Sequence, residues 1–435
     1  MNEYVGLLQR NKDYRHLWLG SLVSQLGDWF NLIASAGLVA NLTGTGTAIS
    51  FLFLARFLPL FLFSPLAGVL ADRYERRTIM IASDLLRAGT VLCFLFIRDP
   101  GQVWLFYVLI FLQFALSAMF TPARTAVLAN VVQPDDLVTA NALDALTWST
   151  MLAFGALLGG IVAAVFGITE AFIMDALSFC VSALLISRIA GPIYASGSAG
   201  SRGGWLDFLD GLRYLKGQHF IFGISLVKAG GSLAWGAINV LEITYAKTIF
   251  TLDIKGLPAG LEIDGGTATL GWIYFVTGLG TGLGPLLMRR WFGDTSRRLR
   301  WGISAGFGLL ALGIFLLSIA PTLREYTLGT LIRTVGSGTI WVFSAALLQV
   351  IVPDRYRGRV FAFEFAALTL TQSISIFWAG YAMDTLGLDV RQVTLSMCLV
   401  AVAVGLLWML FHLRHLSDPG PSRAWASTDK ATDRS

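Results

Sequence analysis

From residue 17 to residue 411 the chain alternates between apolar blocks of about twenty residues and short polar links, and a helix of that length crosses a hydrocarbon core about 30 Å thick. The pattern predicts spans near 17–41, 47–70, 78–97, 103–122, 141–166, 170–190, 219–246, 268–288, 301–320, 325–348, 360–382 and 390–411. The regularity fails once. Residues 191–204, GPIYASGSAGSRGG, read as a flexible Gly/Ser-rich linker, and WLDFLDGLRYLKGQ after them places apolar residues at helical spacing, as an interfacial helix does. Six spans lie on each side. ANVVQPDDL (129–137) and LQVIVPDRY (348–356) share a Val-x-x-Pro-Asp run at an offset of 219, and both follow the fourth span of their half. The expected organisation is a six-helix bundle over 1–190, a cytoplasmic linker over 191–217, a second bundle over 218–412 and a disordered cytoplasmic tail over 413–435.

Composition sharpens this picture. The 435 residues are 55% hydrophobic and 14% charged, against roughly a quarter charged in soluble proteins. The predicted class is an all-α polytopic membrane protein of twelve transmembrane helices in two pseudosymmetric bundles, set in a lipid bilayer and with no length left for a large soluble domain. Basic residues stay on the cytoplasmic side of short loops. With the N-terminus inside, 23 Lys and Arg fall on that side and 5 on the other, so both termini are expected in the cytoplasm, at a plasma membrane. The net charge of +5 and pI near 9.2 come largely from these loops, which argues against nucleic acid as a partner. Cys93, Cys180 and Cys398 lie in apolar blocks without zinc or haem spacing, and His16, His219, His412 and His415 sit at block edges. No metal or other cofactor is expected. The opening MNEYVGLLQRNKDYRHLW mixes acids with bases and has no small-residue cleavage site, unlike a secretory signal peptide.

An ionisable side chain inside a span costs at least about 2.5 kcal/mol and therefore faces a cavity or a partner. In span one Gln25, Asp28 and Asn31 share a helical face with Ser21 and Ser35, and Asp28 lies near the midplane. Arg56 in span two differs from it in depth by only about 5 Å. Two readings of Asp28 stay open: a carboxylate that exchanges Arg56 for a proton or a cationic substrate, or a permanent Asp28–Arg56 ion pair that fixes packing. Span seven carries Lys228, Ser232, Trp235, Asn239 and Glu242 at intervals of 4, 3, 4 and 3. Trp235 suits stacking on a flat or cationic substrate, while Glu242 reads equally as an interfacial fringe and Lys228 as a snorkelling side chain. Gln113, Arg333 with Trp341, and Glu364 are further cavity candidates. Asp84 and Arg87, three residues apart, read as a structural ion pair. The glycines of TMLAFGALLGG (150–160) and GLGTGLG (278–284) have helix-packing spacing, and GLGTGLG lies within an apolar span, unlike a nucleotide loop.

The link between spans two and three, GVLADRYERR from Gly68 to Arg77, resembles the signature loop of the major facilitator superfamily, Gly-x-Leu-Ala-Asp-Arg-x-Gly-Arg-Lys. Glu75 stands for the second Gly and Arg77 for Lys. VPDRYRGRVFA (352–362) is similar to that superfamily's loop before span eleven, and QLGDWFNL (25–32), SDLLRA (83–88) and FTPAR (120–124) are similar to bacterial exporters of the enterobactin-exporter and macrolide-efflux branch. TMLAFGALLGG partly matches the Gly-Pro-x-x-Gly-Gly run of drug/proton antiporters, with Ala156 in the Pro position. The resemblance covers about residues 10–412 and implies a substrate site between two halves near the membrane midplane. It also implies a conformational latch. Gly68 permits close helix approach, Asp72 faces the positive N-terminal end of span eleven at Gly358 or Arg359, and Arg73, Arg76 and Arg77 hold the link inside. The arginines alone also satisfy topology. In the second half the corresponding position is Met288, so the latch acid is present once.

No Gly-x4-Gly-Lys-[Ser/Thr] loop supports ATP hydrolysis, which leaves a gradient, most simply of protons acting through Asp28. The sequence points to a secondary active transporter that exports an amphipathic small molecule, such as a drug or siderophore, by alternating access and as a monomer. A lysophospholipid or lipid flippase of the same fold is the alternative in transport, since the Gly27–Asp28 pair looks like one seen in lysophospholipid transporters. A membrane-embedded enzyme or sensor lacks support, because no metal constellation or Ser/His/Asp set lies at one depth, and no catalytic residue is assigned.

Overall fold

The structure, a computed structural model, describes residues 2–133, 136–190, 212–252, 265–293 and 295–415. Among them there is no strand. The first half runs through α1 (Asn2–Arg10), α2 (Lys12–Thr43), α3 (Gly46–Arg73), α4 (Arg76–Cys93), α5 (Val103–Val131), α6 (Leu137–Thr150), α7 (Ala156–Val165) and α8 (Ile168–Ser187). The second comprises α9 (His219–Ser225), α10 (Val227–Trp235), α11 (Ile238–Thr244), α12 (Gly265–Phe292), α13 (Ser296–Ile319), α14 (Leu323–Ile351), α15 (Asp354–Asp384) and α16 (Val390–Arg414). Among the described residues ten helices are long and apolar enough to cross a membrane. The expected spans 17–41 and 141–166 fall on α2, which is more polar, and on α6 and α7, which a π-helical turn at Met151–Gly155 divides.

Several boundaries differ from expectation because hydropathy finds the edge of the hydrocarbon, not the end of the helix. α15 begins at Asp354 behind Pro353, so Gly358 and Arg359 lie a turn inside it. α1 was not anticipated at all. Asn11 joins it to α2, its side-chain oxygen accepting from Tyr14 N (2.9 Å) and its Nδ2 donating to the Val131 carbonyl (2.8 Å). Span seven is not continuous. It breaks at Leu226 and at Gly236–Ala237 and ends in a π-helical turn, Tyr245–Ile249. Backbone freed from a helix in a membrane needs another partner. Ser375 of α15 supplies one, its Oγ accepting from Ala237 N at 2.8 Å. The expected linker 191–204 and the tail beyond residue 415 lie outside the described residues; of the interfacial helix, 212–216 are helical.

In the first half α2 packs on α8, and α5 on α3 and α4; in the second α14 packs on α12 and α13, and α16 on α13. Between the halves α3 lies against α15 and α7 against α12. Small residues permit both approaches. A Cβ at Gly380 would lie 2.7 Å from Thr47 Cα, and one at Gly160 3.4 Å from Gly271 Cα. Because α3 and α15 are antiparallel, the start of α3 meets the finish of α15. There Asp384 accepts from the first backbone N–H groups of α3, Thr47 N at 2.6 Å and Gly46 N at 3.3 Å, and the Thr47 hydroxyl donates to the Gly380 carbonyl (3.2 Å). A carboxylate at a helix N-terminus satisfies otherwise orphaned donors and the helix dipole together. A cavity of about 400 Å³ opens beside this contact, lined by Asn41, Thr244, Lys247 and Asp384 among others. At the other end of α15, among the described residues, nothing lies within 4 Å of where a Cβ on Gly358 would sit.

This contact gives a direct test. A Cβ at Gly46 would lie 3.5 Å from Met383 Cβ, within disulfide range. In a background lacking Cys93, Cys180 and Cys398, the pair Gly46→Cys and Met383→Cys should cross-link, and adding Asp384→Asn should lower the yield. A helix-end interaction of about 0.3–2 kcal/mol shifts an evenly poised contact between about twofold and tenfold or more. An unchanged yield would show that Asp384 does not hold this end closed.

Candidate functional site

The interior of the first half holds a cluster of charged and amide side chains. Arg87 on α4 is 2% exposed and is shared by two acids: Asp28 on α2 accepts from its Nη2 through both oxygens (2.9 and 3.1 Å), and Asp84 from its Nη1 (3.3 Å). The Asp84–Arg87 pair is therefore present, and Asp28 joins it. The expected Asp28–Arg56 pair is corrected: equal depth brings Arg56 close, but α4 presents Arg87 directly to Asp28. Arg56 Nη1 instead donates to Asn31 Oδ1 (3.2 Å), and its guanidinium lies over the Phe114 ring at 4.4 Å. Asn31 ties four helices. Its Nδ2 donates to Asp175 on α8 at 2.7 Å and reaches Gln113 Oε1 on α5 at 3.5 Å, while its Oδ1 also accepts from Ser35. The Phe179 ring covers the Arg87 guanidinium at 3.9 Å.

The second half solves the same problem with matched pairs. Lys228 Nζ on α10 donates to Glu364 on α15 at 3.0 Å and lies 4.6 Å from the Trp341 ring centre. Arg333 on α14 donates to Glu242 on α11 at 2.5 Å. Neither Lys228 nor Glu242 reaches an interface, since both are buried, which removes the snorkelling and fringe readings. The expected single face of span seven is bent by the breaks in that helix, and its Ser232 bonds to the Leu368 carbonyl of α15 (3.0 Å). Among the cavity candidates, Gln25, Asp28, Trp235, Asn239 and Trp341 keep surface, whereas Asn31, Gln113, Glu242, Arg333 and Glu364 are buried between helices. Trp29, next to Asp28, meets Tyr274 of the other half edge-on at 5.7 Å, and Gly155 and Gly159 leave room for Trp29. The glycines of span five and those at 280 and 284, which face Thr334 and Val335, serve packing.

Of the latch residues, the side chains of Gly68, Asp72 and Arg73 lie outside the described residues. Arg76 Nη1 donates to Asn130 (3.2 Å) and Arg77 Nη1 to the Ile189 carbonyl (2.7 Å), which fastens the link to its own half. Arg359 stands over the Tyr356 ring at 5.8 Å, and that ring stacks on Tyr214 at 4.1 Å. Sequence reasoning missed Asp175, a lone acid within an apolar block, and the Arg124–Asp144 pair (2.7 Å), which also engages Ser21. The lone acid was a usable signal.

The model of the Major Facilitator Superfamily matches residues 17–375. The putative bacilysin exporter BacE of Bacillus subtilis (strain 168) is 24% identical over 84% of this chain and 87% of its own length. Macrolide efflux protein A of Streptococcus pyogenes is 23% identical over 89% and 94%. Among solved structures, a bacterial homologue of the human lysosomal transporter Spinster, in an inward-facing and unoccupied conformation, superposes with a TM-score of 0.72 at 13% identity, covering 95% of this chain and 99% of that one. That likeness shows the fold.

Breaking one side of a matched buried pair strands a charge at a cost of about 3–5 kcal/mol, whereas replacing both sides with apolar groups is often neutral. Lys228→Met alone should therefore lower the unfolding temperature of the purified protein strongly, and Lys228→Met with Glu364→Leu should recover most of the loss. Additive losses would mean the two side chains do not stabilise each other.

Proposed function

As the chain belongs to the Major Facilitator Superfamily, we propose that it is a secondary active transporter that exports an amphipathic small molecule across the plasma membrane in exchange for protons. The observation that carries this reading is the unequal charge count of the first half, where Asp28, Asp84 and Asp175 face only Arg56 and Arg87. An interior with one acid in excess has a place for one mobile cation. Asp28, 31% exposed, is the cluster's accessible carboxylate. A proton or cationic group arriving on Asp28 loosens its hold on Arg87 and leaves that guanidinium to Asp84, so occupancy changes how α2 is tied to α4. The exporters among the relatives support the outward direction.

The Lys and Arg distribution supports cytoplasmic termini; on that reading the Asp384 contact is the extracellular one and the Gly358 end faces the cytoplasm. In the opposite state Asp72 closes the cytoplasmic end against the start of α15, with the substrate between the halves near Gln25, Trp235 and Asn239. A monomer contains both halves and suffices for the cycle.

Asp28→Asn keeps the shape and removes the exchangeable charge. In cells stripped of their own pumps, the variant should reach the membrane and fold as wild type yet lose pH-gradient-driven export of a macrolide or of the compounds that untargeted metabolite comparison identifies. Export by Asp28→Asn at the wild-type rate would remove Asp28 from coupling, and wild-type export that survives collapse of the pH gradient would remove protons altogether.

A further inference from the structure

Two of the three acids in the first half touch a guanidinium. Asp175 does not. Its side chain is fully buried, Oδ2 accepts from Asn31 Nδ2 at 2.7 Å, and Oδ1 has no hydrogen-bond partner among the described residues. The groups that act on it are Asp28 and Asn31 from α2, Arg56 from α3 and Arg87 from α4; one step further out, Asp84 bonds to Arg87, Gln113 lies against Asn31, and Tyr274 of α12 lies near Arg56. The Arg124–Asp144 pair is complete in itself. Charge therefore balances in this interior with one proton added. Oδ1 of Asp175 is where that proton has least competition from a cation, because Arg87 is divided between Asp28 and Asp84 and Arg56 stops at Asn31.

We propose that the coupling proton, entering at Asp28, comes to rest on Asp175, deepening the proton-exchange reading on which it rests. A hydronium on the accessible side gives up one O–H bond to the Asp28 carboxylate, the proton passes on to Asp175 Oδ1, where the O–H bond now forms, and that bond breaks when the proton passes to a water on the other side of the membrane, which becomes hydronium. The position suits the task. A Cβ at Gly27 would lie 2.6 Å from Oδ1 and 2.8 Å from Ser178 Cβ, so the carboxyl rests directly against the backbone that precedes Asp28. Arg56 and Asp175 bond to opposite ends of the same amide, Asn31. When the proton leaves, the bare carboxylate draws Arg56 from Asn31 towards itself, and Arg56 belongs to α3, the helix that lies against α15 of the other half. Proton occupancy is thereby transmitted to the contact that opens and closes.

Infrared spectroscopy of the full-length protein in lipid reads the proton without a substrate, through the C=O stretch of a protonated carboxyl group shielded from water. Wild type at neutral pH should show this band, and Asp175→Asn, which keeps the Asn31 hydrogen bond, should lack it. Arg56→Gln removes a cation and should raise its intensity about twofold, since a second acid must then be neutralised. A band unchanged in Asp175→Asn, or absent from wild type, overturns the assignment. Should Asp175→Asn fail to fold, an unchanged band in Arg56→Gln overturns it equally. Vesicle export of a macrolide separates the two levels: loss of pH-gradient dependence in Asp175→Asn alongside loss of the band supports the carrier role. Loss of the band in a protein whose wild-type export ignores the gradient refutes coupling and the carrier role together, leaving a structural proton.

Discussion

A charge in hydrocarbon has no water to hold it, and the interior of this protein is arranged around that constraint. Arg87, Lys228 and Arg333 are each buried, and each finds a carboxylate on a different helix: α4 reaches α2, α10 reaches α15 and α14 reaches α11. Apolar packing between membrane helices is permissive, because lipid tails compete with side chains on equal terms. Ion pairs are not permissive. Each one selects a rotation and a depth for two helices at once, since any other setting strands a charge at a cost of several kcal/mol. In the second half Lys228 with Glu364 and Arg333 with Glu242 are each one base to one acid, the arrangement of a structural pair. The first half divides one guanidinium between two acids and leaves a third acid to an amide, and an arrangement with unequal partners has more than one way to be satisfied.

The interface between the halves obeys a related rule at the ends of helices. α3 and α15 run antiparallel, so each begins where the other finishes, and each has an aspartate at its finish, Asp72 and Asp384. At the Asp384 end the positive end of α3 is offered to the acid of α15, while the Asp72 side chain lies outside the described residues. Rigid halves that rock about a central contact close one end as they part at the other. Asp384 occupies its site here, donors at 2.6 and 3.3 Å, and among the described residues nothing lies within 4 Å of a Cβ placed on Gly358.

Much of this was legible in the sequence, and the reason lies in what each signal encodes. Hydrophobic blocks report burial in lipid, so the apolar helices and the polar residues within them could be read directly. Depth follows from counting residues. Azimuth relative to a neighbour does not, and for that reason Asp28 was matched to Arg56 by depth when the geometry of α4 gives it Arg87. Lys228, Glu242, Arg333 and Glu364 were each recognisable as costly residues, yet their pairing across 136 and 91 positions needs the tertiary fold. Asp175 was missed although Ser178 and Ser182 follow it at i+3 and i+7 and mark a polar face, because small hydroxyls are common in membrane helices and stand out less than a second charge would.

The irregular segments pack on the two helices of the second half that meet the first. The π-helical turn at Met151–Gly155 lies against α12 from the other half, while within the second half the turn at Tyr245–Ile249 packs on α12 and Gly236, between α10 and α11, packs on α15. By contrast α13, α14 and α16, which pack together on the far side of the second half, are unbroken over 24 to 29 residues. A π turn leaves one residue out of the regular hydrogen-bond ladder, and a break leaves several, so these segments bend at lower cost than a continuous helix. Their loosened backbone is secured by side chains such as Ser375, whose bond to Ala237 N can be exchanged without unpacking a core. Backbone that bends at low cost is thereby concentrated beside the helices through which the halves touch, while the buried ion pairs lie within each half.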